Sequence, residues 1–95
     1  MATFIQPIGI GISLTTASIP VIGPNPTRQA LWFHNRGSVN SIEIAPAPIV
    51  AGNAGSILLL PGATIQFNFP QAATCGWNAH MVASTGDLSI LEWPA

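Results

Sequence analysis

Apolar and polar residues alternate with period two along most of the chain. Ile8, Ile10, Ile12 and Leu14 alternate with Gly9, Gly11, Ser13 and Thr15, which predicts a strand with one apolar face. Ile19, Val21 and Ile22 form a short segment interrupted by Pro20, which suits an edge position. Residues 28–34 set Gln29, Leu31 and Phe33 on one face and Ala30, Trp32 and His34 on the other. Gly23-Pro24-Asn25-Pro26 opens this strand as a turn. After Asn35-Arg36-Gly37-Ser38, the run Ser41-Ile42-Glu43-Ile44 returns with clean alternation, so a hairpin of residues 28–34 with 41–45 is expected. Residues 45–55 mix Pro, Ala, Gly and Asn and read as a loop.

Further strands are expected over Ile57–Leu60 and Ala63–Phe69, separated by Pro61-Gly62. In residues 75–83, Trp77, Ala79, Met81 and Ala83 share one face, opposite Gly76, Asn78, His80 and Val82. In Leu88–Trp93, the pair Leu88 and Ile90 competes with Leu91 and Trp93 for the core, and the pattern leaves that choice open. No stretch has helical periodicity with caps. The fold class is therefore all-β: a small antiparallel β-sandwich or barrel of seven to eight short strands. Residues 1–7 form an extended N-terminal arm, in which Phe4 and Ile5 need a partner to bury against. Residues 8–95 form a single β domain.

Composition changes this picture in one respect. Hydrophobic residues make up an ordinary 48%, but charged residues only 5%, against about 25% in a typical soluble domain. The charges are Arg28, Arg36, Glu43, Asp87 and Glu92, and lysine and tyrosine are absent. A membrane span does not explain this, because no apolar run approaches the ~20 residues needed. Cover by neighbouring subunits or a host particle does, since interface cores are depleted in charge, and it is favoured over a merely charge-poor monomer. Two arginines are too few for nucleic-acid binding. The N-terminus lacks the basic stretch of a secretory signal. Cys75 is single, which suits folding in a reducing cytoplasm.

Candidate chemistry is sparse. Three carboxylates and two histidines are the acid–base inventory, and no Gly-x-Ser-x-Gly elbow accompanies the serines. Asp87 reads as a turn cap, and Glu43 as an outward strand residue. The carboxylates as a set read as solvated or capping groups, so an enzyme is not expected. His34, Cys75 and His80 match no zinc spacing, and no metal or other cofactor is expected. Trp32, Trp77 and Trp93 are candidates for carbohydrate binding, set against a role in the core or in a subunit contact.

The order of motifs resembles a small, widespread type of bacteriophage virion protein. The matching stretches are Asn25-Pro26-Thr27-Arg28, Leu31-Trp32-Phe33-His34-Asn35, Ile42-Glu43-Ile44, Leu60-Pro61-Gly62-Ala63-Thr64-Ile65 and Ile90-Leu91-Glu92-Trp93. The sequence departs from the type at His34, at the Ala/Pro loop 45–51 and in its apolar arm. The resemblance implies a β-sandwich module of the virion, made in the bacterial host cytoplasm, with no catalytic residue to carry over. Small size and few charges add a capsid decoration (cement) role. Its partners would be the major capsid protein or other virion proteins, and copies of itself, a trimer being favoured. Phe4, Ile5, Trp32, His34 and Trp93 are the expected interface residues. The alternative is a receptor- or glycan-binding module of a phage head or tail, using exposed tryptophans.

Overall fold

Each alternating run becomes a strand in the computed structural model, which describes residues 7–70 and 74–93. The strands are β1 (Ile8–Leu14), β2 (Ile19–Ile22), β3 (Ala30–Asn35), β4 (Ile42–Pro46), β5 (Ile57–Leu59), β6 (Thr64–Asn68), β7 (Trp77–Met81) and β8 (Gly86–Trp93). They form two four-stranded sheets, ordered β1-β8-β3-β6 and β2-β7-β4-β5. Every pairing is antiparallel. The chain changes sheet at every connection except β4 to β5. That winding is the eight-stranded jelly roll, a double sheet built from two Greek keys.

The expected hairpin of residues 28–34 with 41–45 does not form. β3 pairs with β6 and β8, whereas β4 pairs with β5 and β7 in the opposite sheet. Asn35 ends β3 as a strand residue, and residues 36–41 carry the chain across the sandwich. Asn35 sets this crossing. Its side chain accepts from Gly37 N at 2.9 Å and donates to the carbonyls of Asn40 and Leu59 at 3.0 and 3.1 Å.

The core lies between the sheets. Leu14, Leu31, Phe33, Leu88 and Ile90 enter from one side. Val21, Ile42, Ile44, Leu59, Trp77, Ala79 and Met81 enter from the other. The open choice in β8 thus falls to Leu88 and Ile90, which pair in register with Ile12 and Phe33. Trp77 is 1% exposed. It stacks on Phe67, with ring centroids 4.6 Å apart, and meets Phe33 edge-on at 5.2 Å. Such aromatic pairs contribute about 0.5–1.5 kcal/mol beyond their burial.

β2 is an edge strand, as Pro20 demands, and its register shifts between Pro20 and Ile22. The loop of residues 47–56 folds back onto its own sheet. Asn78 Nδ2 donates to Ile49 O at 2.8 Å, and Ala51 N donates to Ser18 Oγ at 3.0 Å. Phe4 and Ile5, like the arm as far as residue 6, lie outside the described residues.

Candidate functional site

The pleat turns every second residue of the β1-β8-β3-β6 sheet outward. Because Leu31, Phe33, Leu88 and Ile90 point in, Trp32, His34, Leu91 and Trp93 point out. The register then arranges them in rows. Gly9, Leu91, Trp32 and Gln66 lie side by side across the four strands. Gly11, Ser89, His34 and Thr64 form the next row, and Trp93, Ala30 and Asn68 flank the first on its other side.

Trp32 and Trp93 are diagonal neighbours, which places large side chains within reach of each other. Their ring centroids are 5.3 Å apart and their planes are inclined at 48°. Two shallow cavities share Trp32 as a wall. One, of about 240 Å³, is lined by Gln29, Ala30, Trp32, Gln66 and Trp93. The other, of about 370 Å³, is lined by Trp32, His34, Thr64, Ser89 and Leu91. His34 Nδ1 and Thr64 Oγ1 are 2.8 Å apart, which fixes the imidazole over the second cavity's rim. At the sheet edge, a Cβ added to Gly11 would meet nothing within 4 Å. No steric need within the chain therefore keeps Gly11 a glycine. Its effect is a low, bare edge to this face.

Thus Trp32, His34 and Trp93, three of the expected interface residues, share one surface. Trp77 does not belong to it, which corrects its candidacy for carbohydrate binding. It faces inward because β7 presents Trp77, Ala79 and Met81 to Phe33 and Phe67 across the sandwich.

The carboxylates also differ from expectation. Asp87 accepts from Ser13 Oγ at 3.2 Å on the neighbouring strand instead of capping its own turn. Glu92 is not solvated. It meets Arg28, which is 1% exposed, at 2.6 Å. Glu43 does lie on an outer face, but opposite His80 in register, with Oε1 3.0 Å from His80 Nε2. His80 Nδ1 lies 2.9 Å from Thr16 O. This histidine–carboxylate pair has no local signature, since its members are 37 residues apart.

Its geometry argues for a clamp rather than a base. A carbonyl and a carboxylate can only accept, so each ring nitrogen carries a proton when both bonds are made. Gly52 closes the ring's remaining side. Its φ is +100°, and a Cβ there would lie 2.9 Å from His80 Cε1. Burial disfavours the charged imidazole, but the Thr16 carbonyl and the Glu43 carboxylate override it and raise the pKa above the ordinary 6.5. A raised folded-state value means that this stabilisation is complete below pH 6.5 and is lost as pH rises through the folded pKa. Unfolding midpoints measured from pH 5.5 to 8.5 should therefore fall with pH in the parent relative to His80→Gln. The difference should be no more than ~1 kcal/mol, as for other partly exposed pairs. Parallel profiles would dismiss the clamp.

Cys75 is no activated nucleophile: burial raises its pKa, outweighing a backbone hydrogen bond and the nearby Arg28 charge. Among the described residues, no three His, Cys, Asp or Glu side chains are grouped to hold a metal ion.

No protein-family model and no curated protein matches this chain. Its fold is that of known structures. It is similar to a de novo designed double-stranded β-helix, at 13% identity over 90% of this chain and 97% of that one, with a TM-score of 0.63. It is similar to a chain of the disulfide-linked pili of Bacillus endospore appendages, at 9% identity over 94% and 85%, with a TM-score of 0.57. It is also similar to a periplasmic inhibitor of g-type lysozyme from Aeromonas hydrophila, at 13% identity over 100% and 91%, with a TM-score of 0.53. At these identities the likeness is one of fold alone. It identifies the class as a double-stranded β-helix, the same winding as the jelly roll described above.

Proposed function

We propose that the chain is a structural protein of a bacteriophage virion, a capsid decoration protein. It would stabilise the head through contacts with the major capsid protein and with copies of itself, as a trimer. It would carry out no catalysis.

The main support is an unprotected apolar edge. β5 ends the second sheet, and its outward side chain Leu58 is 55% exposed; Leu60, two residues on, is 56% exposed. Sheet edges in free-standing proteins are blunted by charge, most often lysine, and this chain has none. Val39, Val50, Phe69 and Val82 add exposed apolar surface elsewhere. A module that spends its life covered by neighbours needs no such charge. The motif resemblance supplies the virion, and the jelly roll is a winding that capsid domains use, an analogy of fold only.

The test has two parts. Light scattering of the purified chain should give a mass near three times 9.9 kDa. Leu58→Lys with Leu60→Lys should reduce it to a monomer while the far-ultraviolet circular dichroism stays unchanged. Gradient-purified phage particles should contain the chain, and heads stripped of it should rupture at lower temperature. A chain absent from particles, or a monomer that does not bind stripped heads, would refute the assignment.

A further inference from the structure

We infer that the outer face of the β1-β8-β3-β6 sheet is a binding site for an uncharged oligosaccharide, with Trp32 as its centre. This holds whether or not the chain decorates a capsid, because it rests on a different surface from the β5 edge.

Three observations converge. First, the face is not flat: it holds two shallow hollows that share Trp32 as a wall. The cavities of about 240 and 370 Å³ lie in line along β3, one on each side of the Trp32 ring. They reach from Ala30 to His34, four residues or ~13 Å along the strand. That suits two or three linked sugar rings. A large flat interface would not need two compartments, and each cavity is near the lower end of small-molecule sites, ~300 Å³.

Second, the chemistry is aromatic and neutral together. The indole faces of Trp32 and Trp93 carry the negative potential of a π system, which attracts the slightly positive C–H groups of a sugar ring. Around them stand amide, hydroxyl and imidazole groups: Gln29, Gln66, Thr64, Ser89 and His34. Two are held ready by internal bonds. Gln66 Nε2 donates to Asn68 Oδ1 at 2.9 Å, which leaves the Gln66 carbonyl oxygen to accept, and Thr64 is tied to His34. Among the described residues, the Ser89 hydroxyl and both indole N–H groups have no side-chain or backbone partner. Sugar hydroxyls, which donate and accept, match that set.

Third, the face offers almost no charge to pair with an ionic ligand. The only charge projecting outward from these four strands is Asp87, at the end of β8 far from Trp93, and Ser13 already engages it. Beyond Ser89 on the β1 side, Gly11 adds no side chain to this face.

Isothermal titration of the full-length chain with maltohexaose, cellohexaose and N-acetylchitohexaose tests the inference. At least one should bind saturably. Trp32→Ala should weaken that binding about tenfold or more, whereas Trp32→Phe, which keeps an aromatic face, should retain most of it. Gln66→Ala should weaken it by a smaller factor, and Leu58→Lys should leave it unchanged. The inference fails if none of the three sugars binds. It fails equally if Trp32→Ala binds as the parent does. It fails also if light scattering shows that Trp32→Ala, and not the Leu58 and Leu60 substitutions, dissociates an oligomer. That outcome would make the face a contact between copies of the chain.

Discussion

Replacing Arg28 with alanine should lower the unfolding free energy by about 3–5 kcal/mol, the cost of leaving one member of a buried ion pair alone. Arg28 is 1% exposed. Its Nε donates to Glu92 Oε2 at 2.6 Å, Nη1 to Cys75 O at 3.0 Å and Nη2 to Gly23 O at 2.7 Å. One guanidinium thus joins the β2–β3 connection, the entry to β7 and the end of β8. Without it, Glu92 keeps, among the described residues, only a long contact, 3.5 Å, from Asn25 Nδ2. Two carbonyls lose donors as well. A small domain has about 5–15 kcal/mol in total, so the loss is a large part of it. Urea denaturation would measure it directly, and the melting temperature should drop by roughly 12 °C or more.

Two companion variants identify the cause. Arg28→Lys keeps the charge but not the planar fork, so it should recover less than half of the loss. Arg28→Met with Glu92→Leu removes both charges and should recover more than Arg28→Ala does. It should still fall short of the parent, because the Gly23 and Cys75 carbonyls remain without that donor, at about 1–3 kcal/mol for each one that water does not reach. An Arg28→Ala protein within ~1 kcal/mol of the parent would show that the pair is ornamental.

Much of this architecture is legible in the order of residues, and the limits have physical causes. Period-two alternation shows which residues share a face, and this holds for Leu31 with Phe33 and for Trp77 with Ala79 and Met81. It cannot say which face is inward when both are apolar. In β8 the decision comes from the neighbours: Leu88 and Ile90 lie beside Ile12 and Phe33, and Leu91 lies beside Trp32 on the outside. Turn chemistry marks where the chain bends, but not whether it pairs with itself or crosses to another sheet. The polar stretch after Asn35 ends the strand in either case.

The charged pairs are the least legible. Arg28 and Glu92 are 64 residues apart, and Glu43 and His80 are 37 apart. They meet only after β3 pairs with β8 and β4 with β7. The scarcity of charge is itself a signal. With five charges in 95 residues, each is a strong candidate for a specific role, which favours charges with partners over charges in water. The aromatic groove was half visible: alternation put Trp32 and His34 together, but the arrival of Trp93 beside them required the β3–β8 register.

Asn35 is the second residue whose loss should be severe. It is fully buried at the end of β3, and all its hydrogen-bonding groups are used. Its backbone N–H donates to Ala63 O and its carbonyl accepts from Gly62 N, both at 3.0 Å. Its side chain spends both amide protons on Asn40 O and Leu59 O and accepts from Gly37 N. A single side chain therefore replaces the ladder that a hairpin would have supplied, and directs the chain into the opposite sheet. Asn35→Leu matches its volume approximately but leaves two carbonyls and one N–H without that partner. A loss of about 2–4 kcal/mol is expected, with the denaturant m-value unchanged. Asn35→Asp should be worse at neutral pH, because a carboxylate would face the Asn40 and Leu59 carbonyls. Burial and those carbonyls would raise the new carboxyl's folded-state pKa, so its deficit against the parent should shrink as pH falls through that value. A loss below ~0.5 kcal/mol for Asn35→Leu would mean that the crossing is set by the Gly62-Ala63 backbone bonds alone. Either result also bears on the groove, since Asn35 anchors the strand that presents Trp32 and His34.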